Sequence, residues 1–136
     1  MAAHIEHLNP AGLHQNPAFS QVVVTQGPMR TVYVGGQNAV DASGNVMGKG
    51  DIRAQAEQIF SNLEIALAAG DATLDNVIKW QIYVLQGQAP QPAFEVFQRV
   101  WGTRPNPPLI TLLFVSGLAH PDFLMEIEAV AVVPAA

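Results

Sequence analysis

The chain has 136 residues and no cysteine. That absence excludes a disulfide framework, a thiol nucleophile and a thiolate metal site, and it suits a reducing compartment. Charge is also scarce. Only 12% of residues are charged while 49% are hydrophobic, against about a quarter charged in an average domain. So few charges on a small domain predict that partner subunits cover part of its surface. The six Lys and Arg residues stand singly in a chain of net charge −5. There is no basic stripe, and nucleic-acid binding is disfavoured. No apolar run approaches the roughly 18 residues of a membrane span. The N-terminal "MAAHIEHLNP" has neither the basic nor the apolar region of a secretory signal. These absences point to a cytoplasmic protein with no membrane partner.

Catalytic signatures are missing too. "GGQNAVDASGNVMGKG" is rich in glycine but lacks the G-x-x-x-x-G-K-[ST] pattern and the helix that should follow a phosphate loop. There is no G-x-S-x-G element. His4 and His7 have a spacing that could share a metal, but two ligands in a terminal segment are too few. Neither a metal nor a cofactor is expected.

What remains is an ordered series of elements. Residues 1–16 are polar and read as an N-terminal arm, and residues 17–136 as one domain. A chain of this length can bury roughly two thirds of its unfolded surface. "FSQVVVTQ" (19–26) and "TVYVGG" (31–36) read as strands of a hairpin around Gly27 and Pro28. "DIRAQAEQIFSNLEIALAA" (51–69) is the clearest helix. Ile52, Ala56, Ile59, Leu63 and Ala66 form one stripe, with Asp51 as N-cap and Gly70 as the C′ residue. In "NVIKWQIYVL" (76–85), Ile78, Trp80, Ile82 and Val84 share the better core face of a strand. "AFEVFQRVW" (93–101) is a short helix with Phe94, Phe97 and Trp101 along one side. The uncharged strand Leu109–Val115 follows, and then a strand carrying Glu126 and Glu128. This order predicts an α+β fold, a single mixed sheet with two helices packed on one face. The other sheet face is also apolar or neutral, and oligomerisation would cover it.

Several stretches together resemble the Rid family, also called YjgF/YER057c/UK114. "PAFSQVVV" is similar to its P-Y-S-Q-A strand opening, and "VYVGGQNAVDASGNVMG" to its V-S-G-Q hairpin followed by D-x-x-G. Residues 51–84 resemble its Q-x(6)-N-L helix, A-G break and V-x-K-x-x-V-Y strand, and "MEIEAVAVV" its closing E-I-E strand. The resemblance runs from about residue 17 to residue 133. It implies a chorismate-mutase-like fold, a homotrimer whose sheets form an inner barrel, and small-molecule clefts between subunits. It also implies hydrolysis of enamines or imines of 2-keto acids, with release of ammonia. An arginine then grips the substrate carboxylate through its planar fork, and a glutamate of the E-I-E strand positions water or relays a proton.

Carried over residue by residue, that site is altered. The family's tyrosine falls on Phe19 and the serine of V-S-G-Q on Gly35, while Gly36 and Gln37 match. The asparagine of the second helix falls on Phe94, the arginine on Ile110, and the residue two further on Leu112. Glu126 keeps the first glutamate of E-I-E and is the candidate acid/base group; Glu128 reads as a structural salt-bridge partner. Residues 105–136 contain neither Lys nor Arg, so no shift of frame restores a guanidinium. Arg104 could swing in from its loop, and His120 lies near the expected cleft mouth but reads as surface. A carboxylate buried there without a cation would cost several kcal/mol or more. The altered cleft therefore predicts a hydrophobic or carboxylate-free ligand in place of a 2-imino acid. A non-catalytic small-molecule sensor and a deaminase with a rearranged site are the alternatives. A ribonuclease role, ascribed to some relatives, fits poorly with the acidic chain.

Overall fold

The computed structural model describes residues 2–135. The described residues form six strands, two α-helices and one 3-10 turn (Leu74–Asn76): β1 (His4–Leu8), β2 (Val22–Gln26), β3 (Met29–Gln37), α1 (Ile52–Ala69), β4 (Val77–Leu85), α2 (Gln91–Trp101), β5 (Leu109–Val115) and β6 (Met125–Pro134). The main sheet has the order β3-β6-β4-β5. β6 runs antiparallel to both of its neighbours, whereas β4 and β5 are parallel. A parallel pair needs a crossover connection, and α2 lies within it. Both helices pack on one face of this mixed sheet, giving an α+β fold. No described helix is long and apolar enough to cross a membrane.

The expected hairpin of 19–26 with 31–36 does not form. β2 pairs with β1, in a register from His4↔Gln26 to Leu8↔Val22, and β3 pairs with β6. Gly27 does make the turn, at φ 84°. Long-range partners nevertheless outcompete the local one: the segment read as a polar arm supplies β1, and central β6 takes β3. The expected single sheet is therefore a four-stranded sheet beside a two-stranded ribbon.

The α1 stripe buries Ile52, Ala56, Ile59 and Leu63, widened by Phe60 and Leu67. Asp51 caps the helix, its side chain accepting from the Ala54 N–H. The C-terminus differs from the expectation. Asp71, not Gly70, takes the left-handed conformation, at φ 55°. Asp71 N–H donates to the Ala68 carbonyl and Ala72 N–H to that of Leu67, the paired bonds of a Schellman motif. Gly70 is needed for space, since a Cβ there would sit 2.8 Å from Val32 Cγ1 on β3.

In β4, Trp80 and Val84 are almost fully buried and Ile82 packs against the core, as expected. Ile78 does not join them. The register slips between Val77 and Lys79, so one step along β6 faces two along β4. This bulge turns Val77 into the core, at 2% exposure, in place of Ile78.

Two amides on α1 hold the long loops. Gln55 is fully buried. Its Nε2 donates to the carbonyls of Gly48 and Asp122, and its Oε1 accepts from the Leu124 N–H at 2.9 Å. Asn62 Nδ2 donates to the Asn38 and Val40 carbonyls. The Q-x(6)-N spacing thus puts two amides two turns apart on one helix, where they satisfy loop backbone that would otherwise be buried unpaired. Gln55→Leu keeps the volume and deletes all three bonds. It should destabilise the fold by about 2–4 kcal/mol, seen as a lower urea midpoint with an unchanged m-value.

Candidate functional site

Between α2 and the sheet lies a cavity of about 340 Å³. α2 contributes Phe94 and Phe97, α1 contributes Phe60, and β4, β5 and β6 contribute Ile82, Ile110, Leu112, Met125 and Ile127. The β1–β2 connection closes one side with Asn16, Ala18 and Phe19. That connection is tied to the segment before β5. Ser20 N–H donates to the Pro108 carbonyl, and Ser20 Oγ donates to the Pro107 carbonyl while lying 3.2 Å from His7 Nδ1. Among the described residues no charged side chain lines the cavity. Its single polar side chain is Asn16, whose Oδ1 already accepts from the Ala18 N–H at 2.8 Å.

Four of the residues expected at the site, Phe19, Phe94, Ile110 and Leu112, come together here. Glu126, Gly35 and Gly36 do not. Successive residues of a strand point to opposite faces. Met125 and Ile127 line the cavity, so Glu126 between them points to the far face of the sheet. There it sits over Gly36, where any Cβ would overlap its carboxylate. No cation lies within ion-pair distance of Glu126 among the described residues. A shallower depression on that face, about 300 Å³, is lined by Tyr33, Gly35, Lys79, Gln81 and Glu128. Within one chain the residues expected at one site therefore fall into two groups, an apolar one under α2 and a polar one behind the sheet.

The remaining candidates are accounted for locally. Arg104 does not reach the cavity. Its Nε bonds Asp75 Oδ1 at 2.8 Å, its Nη1 donates to the Val100 and Trp101 carbonyls, and its guanidinium lies over the Trp101 ring. Glu128, expected in a salt bridge, instead accepts from the Tyr83 hydroxyl at 3.3 Å. His4 pairs with Glu6 while His7 approaches Ser20, so the two histidines do not converge on a metal. His120 Nδ1 accepts from the Asp122 N–H at the surface. Sequence reasoning missed Asn16, Phe60 and Ile127. The strand pattern "MEIEAV" carried a signal for Ile127, because it alternates with Glu126, but nothing local shows that residue 16 folds back over β5.

A mixed sheet with two helices on one face and a cavity between the layers defines a class of small α+β domains, and comparison with known proteins specifies it. The family model described as Endoribonuclease L-PSP matches residues 12–133. The RutC family protein UK114 of Drosophila melanogaster is 32% identical over 113 residues, 83% of this chain and 78% of that protein. A 2-iminobutanoate/2-iminopropanoate deaminase of Dermatophagoides farinae is 35% identical over 54 residues, 40% of this chain and 42% of its own. The solved structure of the Rid family protein YyfB from Yersinia pestis superposes with a TM-score of 0.82 at 28% identity, covering 95% of this chain and 98% of that one. The chain belongs to the Rid (YjgF/YER057c/UK114) family.

On the polar face, partial burial raises the pKa of Tyr83, reinforced by the charge and hydrogen bond of Glu128 and the charge of Glu126. Tyr83 thus stays protonated in the folded chain at pH values where an unfolded tyrosine, with its ordinary value of 10.0, has ionised. The resulting stability is present below about 10 and is lost as pH rises through the folded value. The chain has two tyrosines. With Tyr33→Phe, phenolate absorbance reads Tyr83 alone; it should titrate above free tyrosine, and Glu128→Gln should move it part of the way back.

Proposed function

We propose that this protein works as a homotrimer whose cavity binds or processes a small, largely apolar molecule without a free carboxylate, such as a carboxylate-free imine or enamine. The observation that carries this reading is the absence of any Lys or Arg from the cavity lining, with Ile110 in the position where the family resemblance expects the substrate-binding arginine. A 2-imino acid would bury its carboxylate against Phe94, Ile110 and Leu112, at a cost of several kcal/mol or more. Arg104 is held by Asp75, two carbonyls and a ring, which speaks against a rearranged deaminase site.

The homotrimer is supported by the face behind the sheet. Tyr33 is 79% exposed there and Leu113 of edge strand β5 is 45% exposed. A neighbouring subunit on that face would cover both, and the Glu126 half-site of one chain would meet the apolar half-site of the next. In the catalytic version Glu126 is the acid/base group, and backbone amides near Ile110 and Gly36 hold the polar end of the ligand. The competing reading is a non-catalytic binder or sensor. It is favoured by the cavity itself, which contains no group able to transfer a proton or attack a carbon. The family model's endoribonuclease description is not carried over, because a chain of net charge −5 with scattered cations suits RNA poorly.

Two experiments test these readings. Ammonia release from 2-iminopropanoate generated in situ should not exceed the uncatalysed rate. Ile110→Arg should create a pyruvate site, with affinity higher by about 10- to 100-fold, the scale of hydrogen bonds to a charged group. Rapid turnover by the unmodified protein would overturn the proposal. Once a ligand is in hand, Glu126→Gln divides catalyst from binder. A catalyst should lose turnover by about 10²- to 10⁴-fold, whereas a binder should keep its affinity for a neutral ligand.

A further inference from the structure

One side of α2 is a row of stacked rings, of which Phe94 and Phe97 reach the cavity wall. Residues 94, 97 and 101 are spaced three and four apart, which aligns them on one face of a helix. The Phe94 and Phe97 rings are stacked, with centroids 6.1 Å apart and planes 25° apart. Phe97 and Trp101 continue the row at 6.3 Å and 11°. Both separations lie in the range of offset-stacked aromatic pairs. One end of the row is closed, because the Arg104 guanidinium carbon sits 5.8 Å from the Trp101 ring centroid. That cation is fixed by Asp75 and by the Val100 and Trp101 carbonyls. The middle is supported edge-on by Trp80, which meets both Phe97 and Phe60 at nearly right angles.

The other end is open. Phe94 has Phe97 as its one aromatic neighbour among the described residues. It remains 37% exposed and lines the cavity. Phe19 and Phe60 line the same space, so rings bound it from three elements.

We infer that the row is completed by the ligand, and that the cavity selects a planar aromatic ring that stacks as the next member on Phe94. The ring is uncharged, since no ionised side chain lines the cavity to pair with it. With Asn16 Oδ1 engaged by Ala18, the Asn16 amide N–H groups are the side-chain donors left at the wall among the described residues, which suits a hydroxyl or carbonyl on the ring's substituent. This inference rests on the reading of the cavity as a ligand site and narrows it. General apolarity would favour saturated rings, which are at least as hydrophobic as aromatic ones. Stacking reverses that order.

The test compares benzyl alcohol with cyclohexylmethanol, titrated into the full chain and followed by NMR. Benzyl alcohol should bind roughly 2- to 12-fold more tightly, the scale of one aromatic pair, with its ring protons shifted upfield by the stacked neighbours. Phe94→Leu keeps an apolar side chain at a half-exposed position; it should abolish both the preference and most of the upfield shift. Phe94→Tyr should retain both. Equal affinity for the two alcohols, or a preference that survives Phe94→Leu, would overturn the aromatic inference and leave the apolar cavity reading standing. Failure of both alcohols to bind would overturn the cavity reading and this inference with it.

Discussion

Strand β6 lies between β3 and β4, so both its edges are hydrogen-bonded and neither of its faces can be left to chance. Its alternation divides the molecule. Met125, Ile127, Ala129 and Ala131 are buried beneath the helices, while Glu126 and Glu128 stand half-buried on the other side. A one-residue slip would drive two carboxylates into the core, at a cost of several kcal/mol or more for each unpaired charge. The register is therefore strongly specified, and β3, β4, β5 and the helices build outward from it. The same alternation separates the chemistry of the protein. The cavity under α2 and the carboxylate of Glu126 in one chain lie on opposite sides of a continuous sheet.

That separation gives meaning to the composition. A face carrying Tyr33, Lys79, Tyr83, Glu126 and Glu128 on one side of the sheet, with a largely apolar cavity on the other, suits an assembly in which one subunit's back meets another's front. The electrostatics follow from burial. Charge is tolerated where water or a partner carbonyl can reach it, as at Arg104, and is absent where α2 closes over β4 and β5. The cavity lining therefore offers a ligand shape, dispersion and ring faces but no charge.

Much of this was legible in the chain. The α1 stripe, the β5 and β6 boundaries, the Phe94–Phe97–Trp101 face and the missing cation after residue 104 follow from periodicity and residue type. Other features were not. The bulge that exchanges Val77 for Ile78 has no local signature. Gly70 looked like a residue chosen for its φ and proved to be one chosen for the approach of Val32. The turn at Gly27 suggested a hairpin between strands that belong to different sheets. Each miss concerns a choice made by a partner distant in the chain.

Sequence alone determined the family, the two helices, the apolar character of the β5 cluster and the absence of any guanidinium after residue 104, because these depend on residue type and on spacing along a single element. Tertiary structure decided that Phe19, Phe94, Ile110 and Leu112 share one cavity and that Glu126 does not. It decided that Arg104 is committed elsewhere and that the N-terminal segment is a strand. The physical reason is the pleat of the sheet. Which side of β6 a residue occupies is local, but what waits on that side is set by strand order and by helices that arrive from distant parts of the chain.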